Sequence, residues 1–189
     1  NNAYMKHNNK IILLLLLITL NLSCGRNYRE EDLTQKIPTK EDSIRMRNEK
    51  IEESLVKTNQ IVIKKELEKI KSYIERNSWK VIEKNGIFYE IISKSEEKKI
   101  KNKEKITLSY KCSLLDGSVV YDSQKDGKLH LQMGSQSEAP LGLQIALTHL
   151  YHNCKARIII PSSLAYGLSG DGKRIPPSTT LIYEIEIEN

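Results

Sequence analysis

The chain has 189 residues, of which 39% are apolar, 29% charged and 6% aromatic, a size and balance that suit one globular domain with an extension. The Gly and Pro counts, 9 and 5, exclude a collagenous or low-complexity chain, and 3 Cys with no CxxC pair exclude a disulfide-dense scaffold and give no seed for a zinc site. The net charge of +6 is unevenly placed: residues 106–189 carry 7 Lys/Arg against 8 Asp/Glu, which leaves 23 against 16 in residues 1–105, a net of +7. A basic excess raises the question of nucleic acid or membrane partners, and here that question concerns the first part of the chain alone.

Lys6 and Lys10 precede an apolar run, Ile11–Leu20, followed by Asn21-Leu22-Ser23-Cys24. Positive charge, a short apolar run and a small residue make an export signal, and the run is too short to span a bilayer. Met5 is the expected start, with Asn1–Tyr4 an upstream remnant, so the signal covers 5–23. Cys24 directly after Ser23 resembles a bacterial lipoprotein cleavage site, although Asn21 stands where that pattern has Leu. The resemblance implies that Cys24 is lipidated and that the chain is held at a membrane of the cell envelope.

Residues 24–42 read as a polar tether containing Pro38. Thr39 or Asp42 is placed to cap a helix, and 43–77 contains no Gly or Pro. Ile63, Leu67, Ile70 and Ile74 recur at 4-3-4 spacing, one helical face, while Ile44, Ile51 and Leu55 form a less regular stripe. The heptad is not sustained, so the expected role is packing on its own domain rather than a long coiled coil. Residues 78–105 are expected to hold a first strand and a basic linker. The linker, 93–105, mixes Lys with Glu and holds no aromatic; a nucleic-acid groove would interleave stacking rings, so it reads as a solvated loop and no nucleic acid is expected.

Alternating apolar residues mark strands at 86–92, 106–114, 119–122, 129–133, 155–160 and 181–187. Asp116-Gly117 is a turn. Leu143, Ala146, Leu147 and Leu150 at i, i+3, i+4 and i+7 form a short amphipathic helix. One short helix among about six strands, without regular βαβ alternation, is α+β with an antiparallel sheet. The core is thus 106–189, and with the first strand the domain runs from about 86 to 189.

Two motifs mislead. Gly167-Leu-Ser-Gly-Asp-Gly-Lys-Arg matches a phosphate loop until Arg174 takes the Ser/Thr position, and Ile175-Pro176-Pro177 blocks the helix such a loop must open. His149-x-x-His152 has no third ligand in view, so no metal is expected.

An ordered series remains: Tyr110, Asp116-Gly117, Tyr121-Asp122-Ser123, Leu131-x-x-Gly134, Pro140-x-Gly142-Leu143, Pro161, Ala165-Tyr166-Gly167, Ile175-Pro176-Pro177 and Tyr183. Across 86–188 this resembles the FKBP-type peptidyl-prolyl isomerases. The resemblance implies a twisted antiparallel sheet wrapped around one short helix, here preceded by a long N-terminal helix. It implies that Tyr110, Asp122 and Tyr166 are catalytic and that Tyr121, Leu129, Leu131, Ala139, Pro140, Leu143, Ile175 and Tyr183 bind substrate, with Asp171 at the pocket rim. The implied substrates are proline-containing polypeptides, with no cofactor and no metal. The signal and long helix are similar to those of the gliding-motility-associated FKBP-like lipoproteins. Leu143 stands where the family's pocket floor is usually Trp, Tyr121 replaces Phe, and Leu129 and Leu131 replace aromatics. A less aromatic pocket leaves a second function open, a catalytically weak chaperone or binding module of an envelope assembly. Cys112 and Cys154 are expected to be free thiols, because the family's strand order keeps them apart.

Overall fold

In the computed structural model, residues 38–93, 98–135 and 139–188 are described; the signal, Cys24 and most of the tether lie outside them. The chain divides into two compact units, 1–51 and 52–189. Helix α1 (Lys40–Arg76) begins in the first. Its start is a reciprocal cap: Thr39 Oγ1 accepts from the Asp42 N–H at 3.1 Å, and the Thr39 N–H donates to Asp42 Oδ2 at 3.3 Å.

The second unit holds the rest of α1 and a seven-stranded sheet of β1 (Ile82–Lys84), β2 (Ile87–Ser93), β3 (Lys105–Leu114), β4 (Val119–Asp122), β5 (Leu129–Gln132), β6 (Lys155–Ile160) and β7 (Leu181–Glu188). The order is β1-β2-β6-β7-β3-β4, every pairing antiparallel, with β5 also on β3. Strand β1 was not expected. The exposed Ile82–Lys84 segment carries no burial pattern, but Asn85 and Gly86, at φ 51° and 79°, make the left-handed two-residue turn that pairs it with β2.

Two apolar layers follow from the alternation. On one face Ile87, Leu108, Cys112, Ile158 and Ile185 pack around α3 (Leu141–Leu147), whose Leu143, Ala146 and Leu147 are fully buried. On the other, Phe88, Ile159 and Ile182 meet Ile70 of α1, with Leu67 and Ile74 beside it. The helix therefore covers its own sheet, as the 4-3-4 spacing implies, except that Ile63 stays half exposed at 51%. Burying a side chain the size of Ile70 contributes about 1.5–3 kcal/mol. The linker read as solvated is only partly so, since Ile100 is 6% exposed and joins the core. Its neighbour Lys99 bridges to Tyr151.

Strand β3 positions the site because its outer edge is shared. Lys105–Leu108 pair with β5 and Lys111–Ser113 with β4. Between them the Tyr110 N–H would be orphaned, and the Ser123 hydroxyl accepts it at 3.0 Å. Ser123 opens the short helix α2 (Ser123–Asp126). No helix among the described residues is long and apolar enough to cross a membrane.

Candidate functional site

The strands and the β6–β7 connection enclose a cavity of about 450 Å³ lined by Tyr110, Tyr121, Leu129, Ala139, Tyr166, Gly170, Asp171, Lys173 and Tyr183. β3 supplies Tyr110, β4 Tyr121, β5 Leu129 and β7 Tyr183. Ala139 precedes α3, and the remaining four residues come from the connection that follows the 3₁₀ turn Ser162–Leu164. Of the eleven pocket residues expected from sequence, Tyr110, Tyr121, Leu129, Ala139, Tyr166 and Tyr183 line the cavity. Leu131, Leu143 and Ile175 lie in the same core cluster behind it, and Pro140 is the residue that starts α3. Asp122 caps α2, its Oδ1 accepting the Gln124 N–H at 2.9 Å. Gly170 and Lys173 were not foreseen; they belong to the loop whose phosphate-loop likeness had been set aside.

The cavity's hydroxyls are neutral donors. Burial pushes the Tyr166 hydroxyl up to about 12 and holds Tyr183 well above the ordinary tyrosine value. Tyr110 is raised by burial and by the Asp126 carboxylate, and Tyr121 goes to about 12 through burial and its bond to Asp171. The Tyr110 and Tyr183 rings lie 6.0 Å apart, tilted by 35°. The Tyr183 hydroxyl is within hydrogen-bond reach of the Tyr166 hydroxyl and of the Cys112 thiol. Burial pushes that thiol up to about 12, so it remains protonated and is no nucleophile at neutral pH. Cys112 and Cys154 are both free and buried.

One wall is braced by charge. Asp171 Oδ1 accepts the N–H groups of Lys173, Arg174 and Ile175 at 2.9, 3.0 and 2.8 Å, which folds the loop back on itself. Its Oδ2 accepts the Tyr121 hydroxyl at 2.5 Å. The Arg174 guanidinium covers the Tyr121 ring at 4.7 Å and donates to Val120 O at 3.0 Å and to Asp126 at 2.9 Å. The hydroxyl that distinguishes Tyr121 from Phe thus has its partner across the rim.

This bridge gives a pH prediction. Burial alone would raise the Asp171 carboxyl, but the Tyr121 hydroxyl and the Ile175, Lys173 and Arg174 N–H groups outweigh it and hold it below the usual range. A carboxyl held low in the folded state contributes stability above its unfolded pKa, and loses it as pH falls through the folded value. Tyr121→Phe removes one donor, so the Asp171 pKa rises toward the ordinary value and its contribution shrinks. An NMR titration of the Asp171 carboxyl carbon measures the rise; an unchanged value would exclude the bridge.

The two histidines of the rejected motif have ordinary roles. His152 Nε2 faces Glu104 at 3.2 Å, and the His149 ring stacks on Tyr89 at 5.7 Å. Among the described residues no group of three His, Cys, Asp or Glu is placed to hold a metal.

Comparison with known proteins gives the same picture of the C-terminal half. Residues 96–188 match the family model described as FKBP-type peptidyl-prolyl cis-trans isomerase. The FKBP-type peptidyl-prolyl cis-trans isomerase FkpA of Buchnera aphidicola subsp. Schizaphis graminum is 37% identical over 105 residues, 54% of this chain and 40% of that protein. The FKBP-type 22 kDa peptidyl-prolyl cis-trans isomerase of Escherichia coli (strain K12) is 30% identical over 123 residues, 61% of this chain and 56% of that protein. The chain therefore spans about half the length of these relatives, 40% and 56%. The crystal structure of FkpA from Escherichia coli shares the fold with a TM-score of 0.58 at 21% identity, over 79% of this chain and 70% of that one.

Proposed function

Residues 96–188 belong to the FKBP-type peptidyl-prolyl cis-trans isomerase family, and from that premise we propose that this chain accelerates cis-trans isomerisation of Xaa-Pro bonds in polypeptides at the cell envelope. The observation that carries the reading is the placement of Tyr166 in a cavity walled by Tyr110, Tyr183, Leu129 and Ala139, where burial keeps its hydroxyl a neutral donor.

Rotation about a peptide bond meets a barrier of about 18–20 kcal/mol because amide resonance is lost. Xaa-Pro bonds populate both isomers yet exchange over roughly tens to hundreds of seconds. No bond to carbon need break, so neither a base nor a nucleophile is required. A site that holds the twisted amide better than either planar form lowers the barrier, and each ~1.4 kcal/mol gives a tenfold rate. The proline ring enters between the tyrosine rings, and the Tyr166 O–H donates to the carbonyl of the residue before it.

A protease-coupled assay on a proline peptide tests this. Wild type is expected to accelerate the slow phase, and Tyr166→Phe to reduce kcat/KM by about 2- to 10-fold, the worth of one net hydrogen bond of roughly 0.5–1.5 kcal/mol. An uncatalysed rate for wild type would overturn the reading.

The finer proposal is that lipid on Cys24 holds the chain at a membrane of the envelope and that its substrates are exported proteins. The support is the Lys6–Cys24 pattern and the concentration of positive charge before residue 106. Stable anchoring takes two acyl signals, each buried CH₂ contributing about 0.8 kcal/mol. Expressed with its signal, the wild type should partition with membranes, and Cys24→Ser should release it to the aqueous fraction. Equal partitioning would contradict the anchor. A narrower form of this proposal, drawn from the resemblance of the signal and long helix to those of gliding-motility-associated lipoproteins, is that the chain works within a motility assembly.

A further inference from the structure

Glu66 of α1 is out of place among its neighbours. It lies one turn before Ile70, on the face that meets the sheet, and is only part-exposed where Lys64, Lys65, Glu68 and Lys69 are open to solvent. A carboxylate in that position is tolerated only with donors. It has three: the Ser162 N–H at 2.7 Å and the Thr180 hydroxyl at 2.6 Å reach Oε1, and the Ser162 hydroxyl reaches Oε2 at 2.9 Å.

Those two partners bracket the loops of the cavity. The Ser162 carbonyl accepts the N–H groups of Ala165 and Gly167 at 3.1 and 2.9 Å, so one peptide group grips the residues on both sides of Tyr166. The Gly167 carbonyl accepts the Ser178 N–H at 2.8 Å, which ties this turn to the Ile175-Pro176-Pro177 segment that ends at Thr180. We infer that Glu66 is a positioning residue: through Ser162 and Thr180 the long helix fixes the turn that aims the Tyr166 hydroxyl into the cavity. The inference deepens the isomerase reading and rests on it for the role of Tyr166. It also makes α1 part of the active unit, although the family match begins at residue 96, well after the helix ends.

The test uses the full chain with Glu66→Ala and Glu66→Met, and Glu75→Ala as an exposed control on the same helix. Hydrogen exchange of the Ala165 and Gly167 amides is expected to quicken about tenfold or more in both Glu66 variants, while the amides of β3 and β7 keep their protection. Glu66→Met keeps roughly the side-chain volume but offers no oxygen to accept from Ser162 and Thr180, and carries the test if Glu66→Ala does not fold. Unchanged Ala165 and Gly167 amides would overturn the inference. In the peptide assay Glu66→Ala should lower kcat/KM by about 2- to 10-fold, no more than Tyr166→Phe does alone, since it acts through that hydroxyl. Tyr166→Phe added to Glu66→Ala should then cost little further, because the hydroxyl is already misdirected. Fully multiplicative losses would mean that Glu66 acts only on stability and would overturn the positioning role. A wild type without activity would sink the isomerase reading, and the amide exchange would still decide the latch on its own.

Discussion

Replacing Gly170 with alanine is expected to lower kcat/KM on a proline peptide by about 10²-fold, while the same change at Gly172, two residues on, leaves most of it intact. Both glycines sit in the left-handed region, at φ 69° and 71°, where a Cβ costs roughly 1–2 kcal/mol. They differ in what that Cβ would meet. At Gly172 there is nothing within 4 Å. At Gly170 the added carbon would stand 2.2 Å from the Ile175 carbonyl oxygen, with Pro176 and Pro177 backbone atoms at 3.0 and 3.1 Å. Ordinary contact begins at 3.4 Å, so the loop must open by about an ångström, the scale at which misplacement costs about 10²-fold. Asp171 and Lys173 line the cavity from this loop, and the Ile175 carbonyl that is struck also accepts the Asp171 N–H at 3.2 Å. Steady-state kinetics of the two variants decides the matter; equal losses would show that backbone strain, not the close approach, sets the loop.

The second large effect is on stability. Leu143 is fully buried on α3 within the cluster that includes Ile175 and Tyr183. Leu143→Ala should cost about 2–5 kcal/mol, because the rigid surroundings collapse only partly into the space left. Leu168→Ala, at 86% exposure, should stay within about 0.5 kcal/mol of wild type. Urea unfolding at constant slope measures both. A loss below about 1 kcal/mol at Leu143 would mean that α3 is not the centre of this core. A leucine at this place packs as a core residue behind the cavity, which explains how the chain does without the Trp expected there: the cavity's own surface comes from Tyr110, Tyr121, Tyr166 and Tyr183.

Most of the sheet was legible because its strands alternate. β3 shows Ile106, Leu108 and Cys112 inward and is buried in that order, and β4, β6 and β7 lie where the pattern puts them. β1 escaped notice because no residue of it is buried, although the Asn85-Gly86 turn that makes it was present in the sequence. Asn153 takes φ 56°, a left-handed conformation that its short side chain permits.

The site was less legible than the fold. Tyrosines at strand positions can be placed from periodicity and from the family pattern, but the partner of the Tyr121 hydroxyl lies 50 residues away in a loop. Glu66 was invisible for the same reason. On a helix rich in Glu and Lys one carboxylate has no periodic signature, and its partners are 96 and 114 residues further along the chain. The charge excess sorts itself by the same division. The nearly neutral C-terminal part contains the cavity, and the basic excess precedes it.

The central claim is that the tyrosine-walled cavity turns over Xaa-Pro bonds, and exchange NMR of a short labelled Xaa-Pro peptide with catalytic amounts of the protein tests it most directly. The account predicts cis-trans exchange far faster than the uncatalysed tens to hundreds of seconds, with chemical-shift changes confined to the cavity lining, Tyr110, Ala139 and Asp171 among them. Exchange at the uncatalysed rate, with no perturbation of those residues, would contradict it.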